Sequence, residues 1–330
     1  MDGSQVEIEL LLGVDGGGTR CRARLAEPTG STLGEGSAGP ANIRFGLEES
    51  FAAVLEATMH CLYEAGLTYA DLERTVACLA LAGATEPTEL ARARARALPF
   101  RRTLITTDAH AACIGAHGGR DGGIVIVGTG SVAWANVRGR HYRIGGWGFP
   151  ISDEGSGAWL GCEVVRRVLW AQDGRIGWTD LLGAVFAEFQ SDPHAVVRWL
   201  TRARPADFGG FAPLVIEHAT RGDAIGRELV SLAARHIDAL AARLVASGAK
   251  RLCVMGGLAP HIEPWLAPEI RDHLVAPEGD ALSGALQLAL TEAFAIPELI
   301  GAAELSPASP ESLLDEATGP PLSPAHERNK

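Results

Sequence analysis

The hydrophobic pattern begins with a short apolar segment that ends in glycine. This segment, EIELLLGVD, is rich in branched aliphatic residues and predicts a buried strand. In the following TRCRARLAE, small or apolar residues alternate with Arg20, Arg22 and Arg24, which is the period of a strand with one solvated face. The glycine-rich turn between the two segments therefore joins two strands of a hairpin, whereas Rossmann loops and P-loops lead from a strand into a helix.

The rest of the first half predicts a third strand followed by alternating helices and strands. The third strand lies near GSTLGEGSAG, and apolar positions at helical spacing predict a helix from Glu48 to Ala65. Two further buried strands are predicted at TVACLALAGA and RRTLITTD, each followed by a helix. The glycine-rich segment HGGRDGG then indicates a hinge.

The second half of the chain repeats this order. GIVIVGTGSVAWANVRGRHYRIGG predicts a strand, a turn of glycine and threonine, and two more strands, so the chain contains two copies of one plan. A helical insertion follows, and AKRLCVMGGLAP returns to a strand and a Gly-Gly turn. A last helix is predicted at GDALSGALQLALTEAF, and the residues from Pro297 onward predict a partly disordered tail. The insertion helices are predicted at SGAWLGCEVVRRVLWAQ, TDLLGAVFAEF, HAVVRWLTRA and AIGRELVSLAARHIDALAARLVASG.

Length, composition and charge exclude several classes of protein. The 330 residues are enough for two domains, and 47% hydrophobic with 21% charged residues is typical of a soluble globular protein. No apolar run approaches the roughly 18 residues of a membrane span, and the acidic N-terminal residues favour the cytoplasm over secretion. The net charge of -11 and the dispersed arginines disfavour nucleic acid as a partner. An anionic ligand is therefore expected on backbone N–H groups and a metal ion rather than in an arginine-lined cleft.

Three glycine-containing turns, at residues 16–18, 128–130 and 256–257, are candidates for binding phosphate. Glycine permits close approach of the backbone to phosphate oxygens, and Thr19, Thr129 and Ser131 add hydroxyl donors. Each turn alone is more typical of a tight hairpin than of a phosphate site, but three at corresponding strand ends favour a nucleotide. Asp15 is placed to organise magnesium through water, or else to bond its own backbone as a turn residue.

Other polar residues at the predicted strand ends are candidates for catalysis and substrate binding. Asp108 follows a buried strand and precedes a helix, which suits either a helix N-cap or a general base in a cleft. His110 and His117 lack a third ligand nearby, which disfavours a metal site. In GGWGFPISDEGSG, Trp147 suits packing or a sugar ring, and Asp153 suits helix capping or ligand binding.

The motifs together resemble a known superfamily. GVDGGGTRCRARLAE, IVIVGTGSVAWA and VMGGLA are similar to the two phosphate motifs and the adenosine motif of the sugar kinase, Hsp70 and actin superfamily. GPANIRFG, TTDAHAACIGAH and GGWGFPISDEGSG resemble the N-acetylglucosamine kinase-like branch within the BadF/BadG/BcrA/BcrD ATPase family, and bacterial glucosamine kinases most of all. The likeness extends over about residues 8–290 in unbroken order.

The resemblance implies an α/β fold of two ribonuclease H-like, actin-like ATPase domains with the site in the cleft between them. The first domain would span residues 1–118, and the second, with the helical insertion, residues 119–280. The helix at about 281–296 would pack back on the first domain, and residues 297–330 would form the tail. Relatives are commonly dimers, so the resemblance also implies a homodimer.

The resemblance further implies ATP and Mg²⁺ as cofactors and an amino sugar as the small-molecule substrate. Asp108 would accept the proton of the 6-hydroxyl, and Asp15 would organise the metal. The residues implied to bind the nucleotide are Gly16, Gly17, Gly18, Thr19, Gly128, Thr129, Gly130, Ser131, Ala219, Gly256 and Gly257. The residues implied to bind the sugar are Asn42, Asp108, Gly145, Gly146, Trp147 and Asp153.

The function expected from these residues is an ATP-dependent kinase that phosphorylates the 6-hydroxyl of D-glucosamine, with N-acetylglucosamine as the alternative substrate. A more distant alternative is the ATPase activator of a radical dehydratase, which would need Cys113 or Cys162 as a ligand of an iron–sulfur cluster. A sugar-sensing regulator is disfavoured, because only about ten residues precede the first glycine turn and the chain is acidic.

Overall fold

The first half of the chain builds a mixed sheet of five strands. The computed structural model describes residues 10–44 and 46–294, so the predicted tail at 297–330 lies outside the described residues. The strands are β1 Leu10–Gly16, β2 Cys21–Ala26, β3 Thr32–Ala38, β4 Thr75–Leu81 and β5 Arg102–Thr107. Their order in the sheet is β3-β2-β1-β4-β5, with β1 antiparallel to β2 and parallel to β4.

The second half of the chain builds a sheet of the same plan. Its strands are β6 Gly122–Val127, β7 Ser131–Val137, β8 Arg140–Gly145 and β9 Leu252–Met255. Their order is β8-β7-β6-β9, which repeats the first four positions of the first sheet with the same strand directions. Leu274 forms a parallel bridge to Leu252 where the first sheet has its fifth strand. The two sheets confirm the predicted α/β fold with two ribonuclease H-like halves.

The helices connect and cover these strands. Those of the first half are α1 Leu47–Glu64, α2 Pro87–Arg94 and α3 Asp108–His117. Those of the second half are α4 Gly157–Gln172, α5 Asp180–Ala187, α6 Pro193–Leu200, α7 Pro205–Gly209, α8 Ala212–Thr220, α9 Ala224–Ala246, α10 Ala259–Ile262, α11 Pro268–Arg271 and α12 Ala281–Phe294. Two 3₁₀ turns lie at Tyr69–Arg74 and Glu263–Trp265.

The period-two prediction for the second strand is confirmed by burial. Cys21, Ala23 and Leu25 are fully buried, while Arg22 and Arg24 are only partly buried on the opposite face. The buried face packs against α1, whose apolar residues include Phe51 and Val54. This face of β2 thus contributes to the core between α1 and the first sheet.

The other face of the first sheet is covered by α3 and by α12 from the far end of the chain. Ala285 and Ala289 of α12 share a core with Leu11 and Val76 of the strands. The two helices approach closely at Gly284. A Cβ there would meet the Ala111 carbonyl oxygen and lie 2.6 Å from the Gly115 nitrogen. Backbone therefore packs directly against backbone at this crossing.

Helix α3 contacts both sheets. One side of it, through Ala111, joins the core of the first sheet, and the other side, through Ala112 and Ala116, packs with Ile124 and Trp134 of the second. Its first turn is thereby held at the junction of the two sheets. The candidate base Asp108 is the first residue of this helix.

Two helices of the insertion, α7 and α8, are missing from the sequence prediction. Both are short, and the glycine pair Gly209 and Gly210 between them resembles a loop signal. Proline in the first turn of each is the signal that would have located them. Among the described residues, no helix combines the length and apolarity that crossing a membrane requires.

Candidate functional site

A cavity of about 1050 Å³ lies where the loops that follow β1, β5 and β6 converge. Most of the residues predicted to bind nucleotide or sugar line it, although they come from distant parts of the sequence. Those that line it are Gly18, Thr19, Asn42, Asp108, Gly128, Thr129, Gly130, Ser131, Gly146 and Asp153. The structure therefore brings one glycine loop from each half of the chain to a shared space.

The first glycine loop is a tight turn with a packed base and an exposed tip. The Gly17 nitrogen donates to the Arg20 carbonyl at 3.0 Å, which closes the turn. A Cβ on Gly16 would lie 2.6 Å from Leu81 Cδ2, so this glycine serves close packing. Gly18 and Thr19 are exposed at the tip and line the cavity, whereas Gly16 and Gly17 do not.

The second glycine loop is tied to the start of α4. The Gly157 and Ala158 nitrogens donate to the carbonyls of Gly128 and Thr129 at 2.8 and 3.1 Å. Ser131 is buried, and its hydroxyl donates to the Glu154 carbonyl at 2.8 Å. The first turn of the helix thus holds the loop in a fixed shape beside the cavity.

The residues predicted to lie near the adenosine are outside the cavity lining. Gly256 has φ +100°, and a Cβ there would meet the Val127 carbonyl oxygen at the end of β6. Gly257 faces open space. Ala219 is only 4% exposed, and α9 packs closely on its backbone at Gly226. A contact of these residues with a nucleotide stays a prediction.

Asp15 lies in an ion-pair network beside the first glycine loop. Its carboxylate accepts from Arg22 Nη2 at 2.7 Å and from Nε at 3.3 Å. The remaining nitrogen, Nη1, donates to Asp280 at 3.1 Å, just before α12 begins. Asp15 does not line the cavity. A magnesium ion in the cavity would therefore interact with this carboxylate through water rather than directly.

Asp108 has the setting of a base with a raised pKa. Its Oδ1 accepts from the Ala109 nitrogen at 2.8 Å. Burial raises the pKa of Asp108, the negative charge of Asp15 raises this pKa further, and Arg143 acts in the opposite direction. The N-cap interpretation of Asp108 is wrong, because the cap is Thr107, whose hydroxyl oxygen accepts from the His110 nitrogen at 3.1 Å.

The two histidines of α3 are packing residues. His110 packs edge-to-face against His141 with ring centroids 4.5 Å apart, and burial lowers the pKa of His110 to about 4. His117 is fully buried, and its Nε2 lies 2.9 Å from the Gly123 carbonyl oxygen. Within the part of the chain that the structure describes, no group of three metal-ligating side chains occurs.

The loop that contains GGWGFPISDEGSG wraps one wall of the cavity. Asp153 has φ +68°, a conformation that is strained for a non-glycine residue, and its carboxylate accepts from the Gly148 nitrogen at 3.2 Å. Burial raises the pKa of Asp153. The capping interpretation for Asp153 is wrong, because Ser156 caps α4.

Two residues of this segment that were predicted to bind sugar, Gly145 and Trp147, are outside the cavity lining. Trp147 is 71% exposed, and its ring lies over the guanidinium of Arg143. Gly145 ends β8 with φ +70°. Their predicted contacts with the sugar stay predictions.

Two arginines in the cavity wall were missed by the sequence prediction. Arg143 and Arg204 both line the cavity, so the expectation of a cleft without arginine is wrong. The signal for Arg143 was the pairing of two neighbouring predicted strands. Arg143 of β8 lies opposite Trp134 of β7, and Trp134 also lines the cavity. Thr85 and Thr107 are further lining residues that the sequence prediction did not name.

The cysteines give no support to an iron–sulfur site. Cys113 is buried, and burial raises the pKa of its thiol to about 12. Cys162 is half-buried on α4. In the described residues neither belongs to a cluster of metal-ligating side chains.

The molecule combines two sheets of ribonuclease H-like plan, a shared cavity, one glycine loop from each half and a carboxylate at a strand end. This combination defines an actin-like ATPase fold. Residues 12–289 match the BadF/BadG/BcrA/BcrD ATPase family. The chain belongs to this family.

Three relatives are similar over most of their length. The glucosamine kinase of Vibrio cholerae is 40% identical over 278 residues, which cover 84% of this chain and 95% of the relative. The N-acetylmuramic acid/N-acetylglucosamine kinase of Clostridium acetobutylicum is 29% identical over 70% of this chain and 77% of the relative. The solved structure of a proposed N-acetylglucosamine kinase from Chromobacterium violaceum aligns with a TM-score of 0.80 and 37% identity, and covers 86% of this chain and 99% of that one.

Proposed function

We propose that this protein transfers the γ-phosphoryl group of ATP to the 6-hydroxyl of D-glucosamine, yielding glucosamine 6-phosphate and ADP. The relatives of this protein include kinases that phosphorylate amino sugars, and the protein belongs to a family of ATPases. The observation that carries the proposal is the convergence of Thr19, Thr129 and Asp108 on one cavity. A nucleotide phosphate chain and a hydroxyl acceptor would meet there.

The reaction is a direct exchange of bonds at phosphorus. The oxygen at C6 bonds to the γ-phosphorus as the bond to the β–γ bridging oxygen breaks, and ADP keeps that electron pair. Asp108 accepts the proton of the hydroxyl, as a general base at hydrogen-bond distance from the sugar would. The glycine loops position the phosphates, since phosphoryl transfer depends mainly on alignment and on neutralisation of charge.

The amino group of the sugar is the basis for choosing glucosamine over N-acetylglucosamine. Besides the base Asp108, the cavity contains the carboxylate of Asp153, which would favour a substrate with a protonated amine if it lies beside that group. The identity of 40% to a glucosamine kinase supports the same choice. N-Acetylglucosamine is the second candidate, because the other two relatives carry names that include it.

A panel of sugars tests this proposal. ADP release is measured with glucosamine, N-acetylglucosamine, glucose and mannosamine at matched ATP concentration. We expect the highest kcat/KM with glucosamine. A higher value with N-acetylglucosamine would make that sugar the substrate, and no release above background with any of them would overturn the kinase proposal.

Magnesium is part of the proposal, with Asp15 as the residue that organises its water shell. The bound ion would neutralise charge on the phosphates. We expect Asp15→Asn to raise the Mg²⁺ concentration for half-maximal activity by about tenfold or more, as loss of a residue that orients a metal's shell does. The measurement is a Mg²⁺ titration of initial rates at saturating sugar.

Asp280→Asn is the matched control for Asp15→Asn. It removes the other carboxylate partner of Arg22 without touching the glycine loop. We expect a much smaller shift in Mg²⁺ dependence for Asp280→Asn. Equal shifts in the two variants would show that Asp15 acts only by holding Arg22.

A further inference from the structure

The further inference concerns Arg143, a residue of β8 that no motif indicated. It lines the same cavity as Asp108 and Asp153 and is half-buried in the wall. On β7 its pairing partner is Trp134, another lining residue. Arg143 therefore lies on the wall that the candidate base faces.

The guanidinium of Arg143 is held in one orientation. Its Nη2 donates to the Gly146 carbonyl oxygen, and its Cζ lies 4.4 Å from the ring centroid of Trp147. Trp147 is flanked by Gly146 and Gly148, which have φ +70° and +106°. A cation stacked on an aromatic ring and fixed by a carbonyl loses little conformational freedom when it binds a ligand.

The charge of Arg143 lacks an ion-pair partner among the described residues. Asp153 and Asp108 are close enough to interact with it electrostatically, and Arg44 repels it. These two carboxylates offset only part of the desolvation cost of a half-buried cation that makes no ion-pair contact. An anion that enters the cavity would remove that cost.

The position of Arg143 relative to the second glycine loop indicates which anion this would be. Val132, which directly follows Ser131 of that loop, pairs with Gly145 two residues after Arg143. Asp153, which interacts electrostatically with Arg143, also approaches the loop, because a Cβ on Gly130 would lie 2.7 Å from the Asp153 carboxylate. Arg143 is thus close both to the loop expected to hold phosphates and to Asp108. The group being transferred passes between those two places.

We propose that Arg143 binds the phosphoryl group in transfer, contacting its oxygens in ATP and then in the 6-phosphate of the product. The inference rests on the proposed function. The planar fork of a guanidinium matches two phosphoryl oxygens, and these hydrogen bonds are charge-assisted. Trp147, through the stack, is a positioning residue for Arg143.

The test compares binding of the sugar with binding of its phosphate. Titration calorimetry with glucosamine and with glucosamine 6-phosphate is run on the wild type, Arg143→Gln and Arg143→Lys. In Arg143→Gln we expect the affinity for glucosamine 6-phosphate to fall roughly 10- to 100-fold, as loss of charge-assisted bonds does, with little change for glucosamine. In rate measurements the same variant should lower kcat and leave KM for glucosamine nearly unchanged.

Arg140→Gln is the matched control. It removes the same charge from an exposed position on the same strand, outside the cavity lining. We expect wild-type affinity for both ligands. Arg143→Lys keeps the charge without the fork and should be intermediate, which provides a readout even if the glutamine variant folds poorly.

Wild-type affinity for glucosamine 6-phosphate in Arg143→Gln would overturn the inference, and so would either of two further results that are distinguishable from it. Equal loss of affinity for sugar and sugar phosphate in both Arg143 variants would show that Arg143 binds the sugar ring rather than the phosphoryl group. A wild-type protein that binds neither ligand would overturn the proposed function together with this inference.

Discussion

Asp108→Asn is expected to lower kcat by about 10²- to 10⁴-fold, the usual contribution of a general base. Asparagine keeps the acceptor oxygen that bonds the Ala109 nitrogen, so the first turn of α3 should be unchanged. What it loses is the ability to accept the proton of the sugar hydroxyl. Binding of glucosamine, measured by calorimetry, should therefore remain close to that of the wild type while turnover falls.

The raised pKa of Asp108 makes two further outcomes specific to the role of a base. The base must be ionised, so the acid limb of the kcat/KM profile in the wild type should lie above pH 3.8, the ordinary pKa of aspartate, and should be absent from the residual activity of the variant. A carboxyl group whose pKa is higher in the folded state destabilises that state as pH rises through this range. At pH 7, Asp108→Asn should therefore have a Tm equal to or above that of the wild type.

Asp173→Asn is the control for this change. Asp173 is exposed at the C-terminal end of α4, and the same substitution there should leave kcat unchanged. Wild-type turnover in Asp108→Asn would remove Asp108 from the mechanism, and a base would have to be sought elsewhere in the cavity.

Gly284→Ala is expected to destabilise the protein by roughly 3 kcal/mol or more, at the upper end of the cost of overpacking. The added methyl group would meet the Ala111 carbonyl oxygen and approach the Gly115 nitrogen to 2.6 Å. Neither is the movable end of a side chain, so α12 must shift away from α3. Because α3 carries Asp108, the variant should also lose activity while it is still folded.

Gly183→Ala on α5 provides the matched comparison for Gly284→Ala. Both positions are helical, but a Cβ on Gly183 meets nothing within 4 Å. Alanine there should stabilise the helix by about 0.5–1 kcal/mol. Urea denaturation of both variants gives the two free energies of unfolding. A stable Gly284→Ala variant would mean that the helices are not tightly packed at this crossing.

Local periodicity was sufficient to predict most of the sheets. The alternation after Gly18 identified the hairpin of β1 and β2, and the same order of strands indicated the second sheet. Alternation reports which face of a strand is buried, and this information is contained within a few residues. The lining of the cavity by Gly18, Thr129 and Asp108 was predicted through motifs that mark the ends of those strands.

Features that depend on distant residues were not predictable in this way. The bond from Arg22 to Asp280 joins positions 258 residues apart. The approach of Arg143 to Asp153 depends on a loop with several residues at positive φ, whose path a hydrophobic pattern does not encode. Burial of Ala219 of α8 against α9 likewise depends on how the two helices cross.

The packing of α12 on the first sheet has a consequence for protein synthesis. This helix is translated after every other element that the structure describes, yet it completes the core of Leu11, Val76 and Ala80. Until it emerges from the ribosome, α3 alone covers that apolar surface of the nascent chain, and the part that α12 will bury stays exposed. Exposed sheet surface of this kind is prone to aggregation. A chain truncated before Ala281 should therefore be insoluble unless chaperones keep it in solution.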